Sequence, residues 1–381
     1  MSGWEHSSTK WNFSCAVRVP GGVNCKGNVH ELSSTESARF YYALNSDIKI
    51  QYIICDLQTT TRKEVIMIMI QHEKYSDLEI YMSDCTLCPR ECHADRTAAQ
   101  TGYCGQTDEL MAARAALHMW EEPCISGTNG SGAVFFSGCN MGCIFCQNYD
   151  IAHAQRGKRI TTERLAEIFL ELQAKGAHNI NLVTPTHYVP QIIHALQMAK
   201  DNGLVIPIVY NTGSYEKAET LRQLEGLVDI YLPDLKYYSS SISQRYSNAP
   251  DYFPVASTAI AEMFRQVGKP IFEPPGDSES SLMKKGVIVR HLLLPDCTED
   301  SFHIIRYLYE TYGNNIYMSI MNQYTPLSQI ADIPSLNRQI TGEEYDALID
   351  YAISLGIENA FIQEGGTVSE SFIPAFDCEG V

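Results

Sequence analysis

Long apolar stretches are missing from this sequence. The longest early one, Val65 to Ile70, is far shorter than the ~20 residues that a membrane-spanning helix needs. The first thirty residues hold no apolar core behind a basic start, so no secretory signal is expected and the chain reads as cytosolic. Basic residues are scarce, with 28 Lys and Arg against 45 Asp and Glu and a net charge of −17. Such a surface repels phosphate backbones, which argues against broad nucleic-acid binding and leaves only a local basic groove. Repeats, low-complexity tracts and obvious linkers are also absent beyond residue 83.

Cysteine is what the sequence has in excess. There are thirteen, an odd number without an export signal, so a disulfide framework is the weaker reading and metal binding the better one. The 381 residues suffice for one large α/β domain or two ordinary ones, with a sizeable core.

Residues 1–81 differ from the rest. They mix Ser, Thr and Asn with Cys15, Cys25 and Cys55 at no ligand-like spacing, and offer two strand stretches, Ile48–Asp56 and Glu64–Gln71. They are expected to be a poorly specified extension, with Met82 as the start of the organised chain; a small N-terminal domain is the alternative. Residues 82–125 form a cysteine-rich knot followed by a helix, expected over Asp108–Glu121 because Ala, Leu and Met are good helix formers, with Thr107 as its cap. From 126 to 381, short apolar runs alternate with amphipathic stretches. The strands are expected at Ala133–Ser137, Asn179–Val183, Ile206–Tyr210, Asp229–Leu232, Val287–Leu293, Ile316–Ile320 and Asn359–Ile362. The helices are expected at Thr162–Lys175, Val189–Asn202, Tyr215–Leu224, Tyr252–Val267, Asp300–Tyr312 and Gly342–Leu355, with Thr161 or Thr162 as a cap and Gly176 and Gly203 as stops. This alternation predicts an α/β fold with a parallel sheet or barrel.

One segment carries the chemistry: Phe135-Phe136-Ser137-Gly138-Cys139-Asn140-Met141-Gly142-Cys143-Ile144-Phe145-Cys146. Three thiolates on a short loop can each bind a different iron of a four-iron cluster, which normally takes four. One iron then lacks a protein ligand and is open to a small molecule. Gly138 and Gly142 permit the tight loop, and Phe145 would shield the cluster from water. The alternatives are a zinc site with a distant fourth ligand and three buried structural thiols.

A strand followed by C-x-x-x-C-x-aromatic-C resembles the signature of the radical S-adenosylmethionine (SAM) superfamily. The resemblance covers residues from about 83 to 381. Within that superfamily the chain is similar to an uncharacterised group related to pyruvate formate-lyase activating enzyme. The closer likeness lies in the cysteine knot, Glu121–Gly127, Cys146-Gln147-Asn148, Val183–His187, Tyr210–Gly213 and Pro233–Lys236. It implies a partial (β/α)6 barrel, a [4Fe–4S] cluster on Cys139, Cys143 and Cys146, and SAM on the open iron. It also implies reductive cleavage of SAM to a 5′-deoxyadenosyl radical, which takes hydrogen from a substrate, a protein or peptide among the candidates. The electron would come from a donor such as flavodoxin or ferredoxin.

The rest of the implied cofactor site departs from the family in places. Where relatives carry Gly-Gly-Glu-Pro, this chain has Thr184-Pro185-Thr186-His187, so Thr184 and Thr186 become the candidates to meet the methionine amino group; ordinary loop capping is the alternative. Asn211 and Thr212 are candidates for the ribose or carboxylate, with a plain turn as the alternative. Asp234 and Lys236 fall on one side of their strand and are expected to face the site, a surface ion pair being the alternative. His291 is expected to be a packed histidine.

A second group, Cys85, Cys88, Cys92 and Cys104, offers four ligands for a structural zinc or a second iron–sulfur cluster. Cys124, Cys297, Cys378 and the three early cysteines read as ordinary thiols. Activating enzymes often carry extra clusters between the core motif and the second strand; here Asn148–His178 holds no cysteine. The functional rival from another class is a non-catalytic iron–sulfur or zinc carrier or scaffold.

Overall fold

The computed structural model describes residues 80–274, 281–363 and 374–381. The expected extension, apart from its last two residues, lies outside the described residues, as do its two strand stretches and its three cysteines.

Ten strands form the sheet: β1 Leu110–His118, β2 Ser131–Phe136, β3 Lys158–Ile160, β4 Ile180–Val183, β5 Ile208–Thr212, β6 Ile230–Pro233, β7 Ile271–Glu273, β8 Leu282–Leu292, β9 Tyr317–Met321 and β10 Ala360–Ile362. Their spatial order is β10-β9-β8-β6-β5-β4-β2-β1-β3, with β7 hung on β8. From β2 to β10 this path is parallel throughout. β1 runs antiparallel to β2 and β3, and β7 antiparallel to β8. The two ends, β10 and β3, do not pair among the described residues, so the sheet is an open, partial barrel.

The central strands are buried on both faces, as their unbroken Val, Ile, Leu and Phe content requires. The longer helices are α1 Thr162–Ala174, α2 Val189–Asp201, α3 Ser240–Ser247, α4 Tyr252–Val267, α5 Thr298–Tyr312 and α6 Gly342–Leu355. Thr161 caps α1 by accepting from Arg164 N. Thr341 and Glu344 form a reciprocal capping box at α6. Gly176 and Gly203 follow α1 and α2 with φ of +87° and +97°, the left-handed stops expected of them.

One expected element is wrong. Asp108–Glu121 is not a helix but contains the antiparallel strand β1. Its alanines are good helix formers, yet Ala112 and Ala113 are fully buried and β1 pairs with β2 over most of its length. Tertiary pairing overrides a weak local preference. The tail completes the arrangement: Ala115 N donates to Glu379 O and Cys378 N to Ala113 O. Arg114 pairs with Asp377 and Glu379.

Ala113 packs with Ala133, Phe135, Ile151 and Val183. Ala113→Leu is therefore expected to lower unfolding free energy by about 1–3 kcal/mol through overpacking. An exposed helical position would leave it near neutral, so denaturant titration of the two proteins decides between them.

Candidate active site

The parallel strands all end on one side of the sheet, and the loops leaving those ends carry the residues singled out above. The three-cysteine loop leaves β2. Gly138 has φ +89°, and a Cβ there would lie 2.6 Å from the Cys104 carbonyl oxygen. Gly142 has φ +63°, and a Cβ there would sit 3.1 Å from the Tyr103 hydroxyl. The loop's path thus admits glycine alone at the first position and strongly favours it at the second.

Cys143 is buried; Cys139 and Cys146 are partly exposed. Met141 N donates to Cys139 Sγ at 3.3 Å, and Ser247 Oγ donates to Cys143 Sγ at 2.9 Å. Removal from bulk water, with the neighbouring thiols adding to it, pushes Cys139 up to about 11 and Cys146 up to about 12. A cationic centre bound at such thiols would draw off their protons. Phe145 is buried within a wall of Tyr237, Tyr246 and Tyr324.

Among the described residues, no three His, Cys, Asp or Glu side chains are gathered closely enough for a single metal ion. A tetrahedral zinc draws its sulfurs to within about 4 Å of one another. A polynuclear cluster takes each thiolate on a different iron and spreads its ligands. The soft donor set, with N–H and O–H groups aimed at two of its sulfurs, fits such a cluster.

Beside this loop lies a half-buried ionic group that draws on three strands and one loop. Arg290, in β8, donates from Nε to Asp234 Oδ1 (2.8 Å), from one terminal nitrogen to Asn211 Oδ1 (2.7 Å) and from the other to Glu121 Oε2 (3.3 Å). Lys236 Nζ donates to Asp234 Oδ2 at 2.6 Å. The side chains of Asp234 and Lys236 are only 17% and 19% exposed, so the pair is no surface ion pair. Burial would raise the Asp234 carboxyl, but Arg290 and Lys236 hold it below the usual carboxylate range. Burial would lower the Lys236 ammonium; Asp234 and Cys143 instead raise it. A Cβ at Gly213 would lie 3.4 Å from Met141 and 3.6 Å from Lys236, so the loops after β2, β5 and β6 meet there.

Thr186 and Thr212 have different partners from those expected. Both direct their hydroxyls to Glu216 Oε1, at 2.6 and 2.5 Å. Tyr210 OH lies 3.4 Å from the same oxygen. Glu216 is 2% exposed, and its Oε2 has no hydrogen-bond partner among the described residues. Burial, opposed by these hydroxyls, pushes its carboxyl up to about 7. Thr184–His187 lacks the family's glutamate, yet a carboxylate still reaches this segment from the next loop. Thr184 takes a left-handed backbone (φ +58°), and its N–H donates to Asn211 O. His291 is packed as expected, with Nδ1 on Leu235 O and Nε2 on Ser301 Oγ.

Sequence reasoning missed Glu216 and Arg90. Glu216 stands four residues after Thr212 on one loop, a spacing that could have pointed to it. Arg90 lies between the second group's cysteines. It donates to the carbonyls of Asn140, Met141, Ser247 and Asn248, tying the knot to the three-cysteine loop. A cavity of about 500 Å³ lies next to Cys146, lined by Gln147, Tyr149, Asp150 and Gln329 among others.

Residues 133–277, which hold β2 through β7 and the three cysteines, match the model described as the Radical SAM superfamily. The chain contains a radical SAM domain. Such domains work with a [4Fe–4S] cluster and SAM, and the three-cysteine loop lies inside the match. The chain is 27% identical to an uncharacterized protein of Methanocaldococcus jannaschii over 282 residues, 71% of this chain and 74% of that one. It is also similar to SuiB of Streptococcus suis bound to S-adenosylmethionine, with a TM-score of 0.41 and 14% identity over 59% of this chain and 48% of that one. For SuiB bound to precursor peptide SuiA the TM-score is 0.40, with 12% identity over 59% and 46%. The chain thus spans about half the length of SuiB. Among the described residues no helix is long and apolar enough to cross a membrane.

The carboxyl of Glu216 sets a pH dependence on the radical SAM domain. Its folded value, about 7, exceeds its ordinary 4.5, so the native state holds the proton more tightly. Its contribution to stability is fully present below pH 4.5 and is lost as pH rises toward 7. Glu216→Gln is expected to gain on the parent by about 1 kcal/mol per pH unit across that window, and by nothing further above it. Unfolding measured at pH 5, 6, 7 and 8 checks the slope.

Proposed function

We propose that the chain is a radical SAM enzyme: it cleaves SAM reductively and uses the 5′-deoxyadenosyl radical to take a hydrogen atom from a substrate. The observation that carries this reading is the meeting of the three-cysteine loop with the half-buried Glu121–Asn211–Asp234–Lys236–Arg290 group at the strand ends. When bound at Cys139, Cys143 and Cys146, the cluster supplies the electron that splits the S–C5′ bond.

The protein's own part is binding, orientation and exclusion of water. SAM brings a carboxylate, an ammonium and a sulfonium. Lys236 and Asn211 offer donors to the carboxylate, and Asp234 and Glu121 keep the buried charges balanced. Arg290 fixes both acids and the Asn211 amide in one orientation, so these groups meet the ligand without reorganising. Glu216, held by Thr186 and Thr212, offers the carboxylate that an ammonium on the Thr184–His187 side requires. Phe145 and its tyrosines keep water from the cluster loop, which protects a reactive radical. The 500 Å³ cavity beside Cys146 gives the substrate room near that loop.

A pure electron carrier needs no such set of buried, mutually oriented charges, which is why the enzyme reading is preferred. The electron comes from an external donor of the flavodoxin or ferredoxin kind. A glycyl-radical activase role draws no support from residues 148–178, which lack cysteine.

Two measurements test this. Anaerobic protein loaded with iron and sulfide, given dithionite and SAM, is expected to release 5′-deoxyadenosine, and Cys143→Ala to abolish release. A fully loaded chain that makes none with any reductant is a carrier instead. Lys236→Met is expected to keep its iron but to weaken SAM binding tenfold or more (about 1.4 kcal/mol). The SAM-induced change in the EPR spectrum of the reduced protein reports this, and an unaltered SAM titration removes Lys236 from the site.

A further inference from the structure

The second cysteine group is folded as a single compact turn, outside the matched domain. Cys85 N donates to Ala94 O, His93 N returns to Cys85 O, Glu91 N reaches Cys88 O and Gly105 N reaches Gly102 O. The longest of these bonds joins residues nine apart, and Gly102 packs against Cys92 across the loop. Cys85, Cys88 and Cys104 are buried and Cys92 is partly so. A Cβ at Gly102 would lie 3.4 Å from Cys92 Sγ and 3.7 Å from Cys104 Sγ, so these two sulfurs flank the same point.

The sulfurs also face donors. Tyr103 N donates to Cys92 Sγ at 3.1 Å. The guanidinium of Arg96, fully buried, lies 3.9 Å from Cys85 Sγ. That guanidinium is fixed by Thr107 O and by His187 O of the barrel. A buried cation beside Cys85 favours a site whose total charge is negative.

We propose that Cys85, Cys88, Cys92 and Cys104 hold a second iron–sulfur cluster, of the four-iron class, closed by four protein sulfurs and therefore unable to bind SAM. Four thiolates complete a cubane and leave no open iron. The centre accepts one electron from an external one-electron reductant, going from the 2+ to the 1+ core with no bond made or broken, and gives it up again.

Its position serves such a carrier. The Cys104 carbonyl rests on Gly138, next to Cys139, and the Tyr103 ring covers Gly142. Arg90 lies over the Tyr103 ring, 4.0 Å from its centroid, while donating into the three-cysteine loop. The Cys104 backbone thus lies against the residue that directly precedes Cys139. Passage of the electron to the radical SAM domain rests on the function proposed above; the existence of the centre does not.

The triple variant Cys139→Ala/Cys143→Ala/Cys146→Ala separates the two. Loaded anaerobically with iron and sulfide, it is expected to keep about four irons per chain where the parent holds about eight. It should stay brown and show an EPR signal on dithionite reduction that SAM does not alter. Cys88→Ala in the parent background is expected to lose about four irons while keeping the SAM-sensitive signal. A triple variant that is colourless and iron-free, or that holds one zinc per chain, overturns the proposal. A signal there that shifts with SAM overturns the closed ligand set. Failure of the parent to cleave SAM would leave the triple variant's iron content standing as evidence for this centre.

Discussion

The contact between the Cys104 carbonyl and Gly138 is the constraint on which the site depends. It fixes a left-handed turn directly before the first cysteine of the three-cysteine loop and leaves no room for a side chain. Everything downstream of β2 inherits that direction: Cys139 N-terminal to a second tight turn at Gly142, and Cys143 carried under Ser247. The knot is therefore part of the mould in which the loop is shaped. Arg90 and Arg96 make the mould rigid by binding backbone carbonyls on both sides.

Electrostatics then decides how the loop faces the barrel. Two carboxylates, one ammonium and one guanidinium lie half-buried at the strand ends. Breaking one member of such a group leaves an uncompensated charge, which costs more than the group contributes as a whole. That asymmetry keeps β5, β6 and β8 in register with each other at their tips, because Asn211, Asp234 and Arg290 stand one on each strand end. The Glu216 carboxyl is a separate case: it has hydroxyls but no cation, and so stays half-protonated near neutrality.

Much of this could be seen in the amino-acid order. The parallel strands were visible because strands buried on both faces must be continuously apolar. Tyr252–Val267 and Gly342–Leu355 agree with the sequence reading at both ends, since each has an amphipathic period and a terminal glycine just past it. The three cysteines were visible because their spacing is local. What stayed hidden is non-local. Asp108–Glu121 has helix-forming residues but is paired between β2, β3 and the tail, partners far along the chain. Arg290 gains its role from side chains up to 169 residues away, the Arg290–Glu121 separation, and no window along the sequence contains both. Thr186 and Thr212 were picked out as polar loop residues, but the shared carboxylate to which they bond could not be inferred from either alone. The short elements α3, β3 and β7 carry too few residues for a period to show.

One contact bears on redox poise. Tyr237 and Ser247 share a hydrogen bond of 2.6 Å, and Ser247 in turn donates to Cys143 Sγ. A relay of two hydroxyls ending on the Cys143 sulfur draws electron density away from it. An iron centre held there would be easier to reduce than its bare thiolates would make it. Burial raises the Tyr237 phenol well above its ordinary value, so the far end of the relay does not lose its proton within the range of living cells.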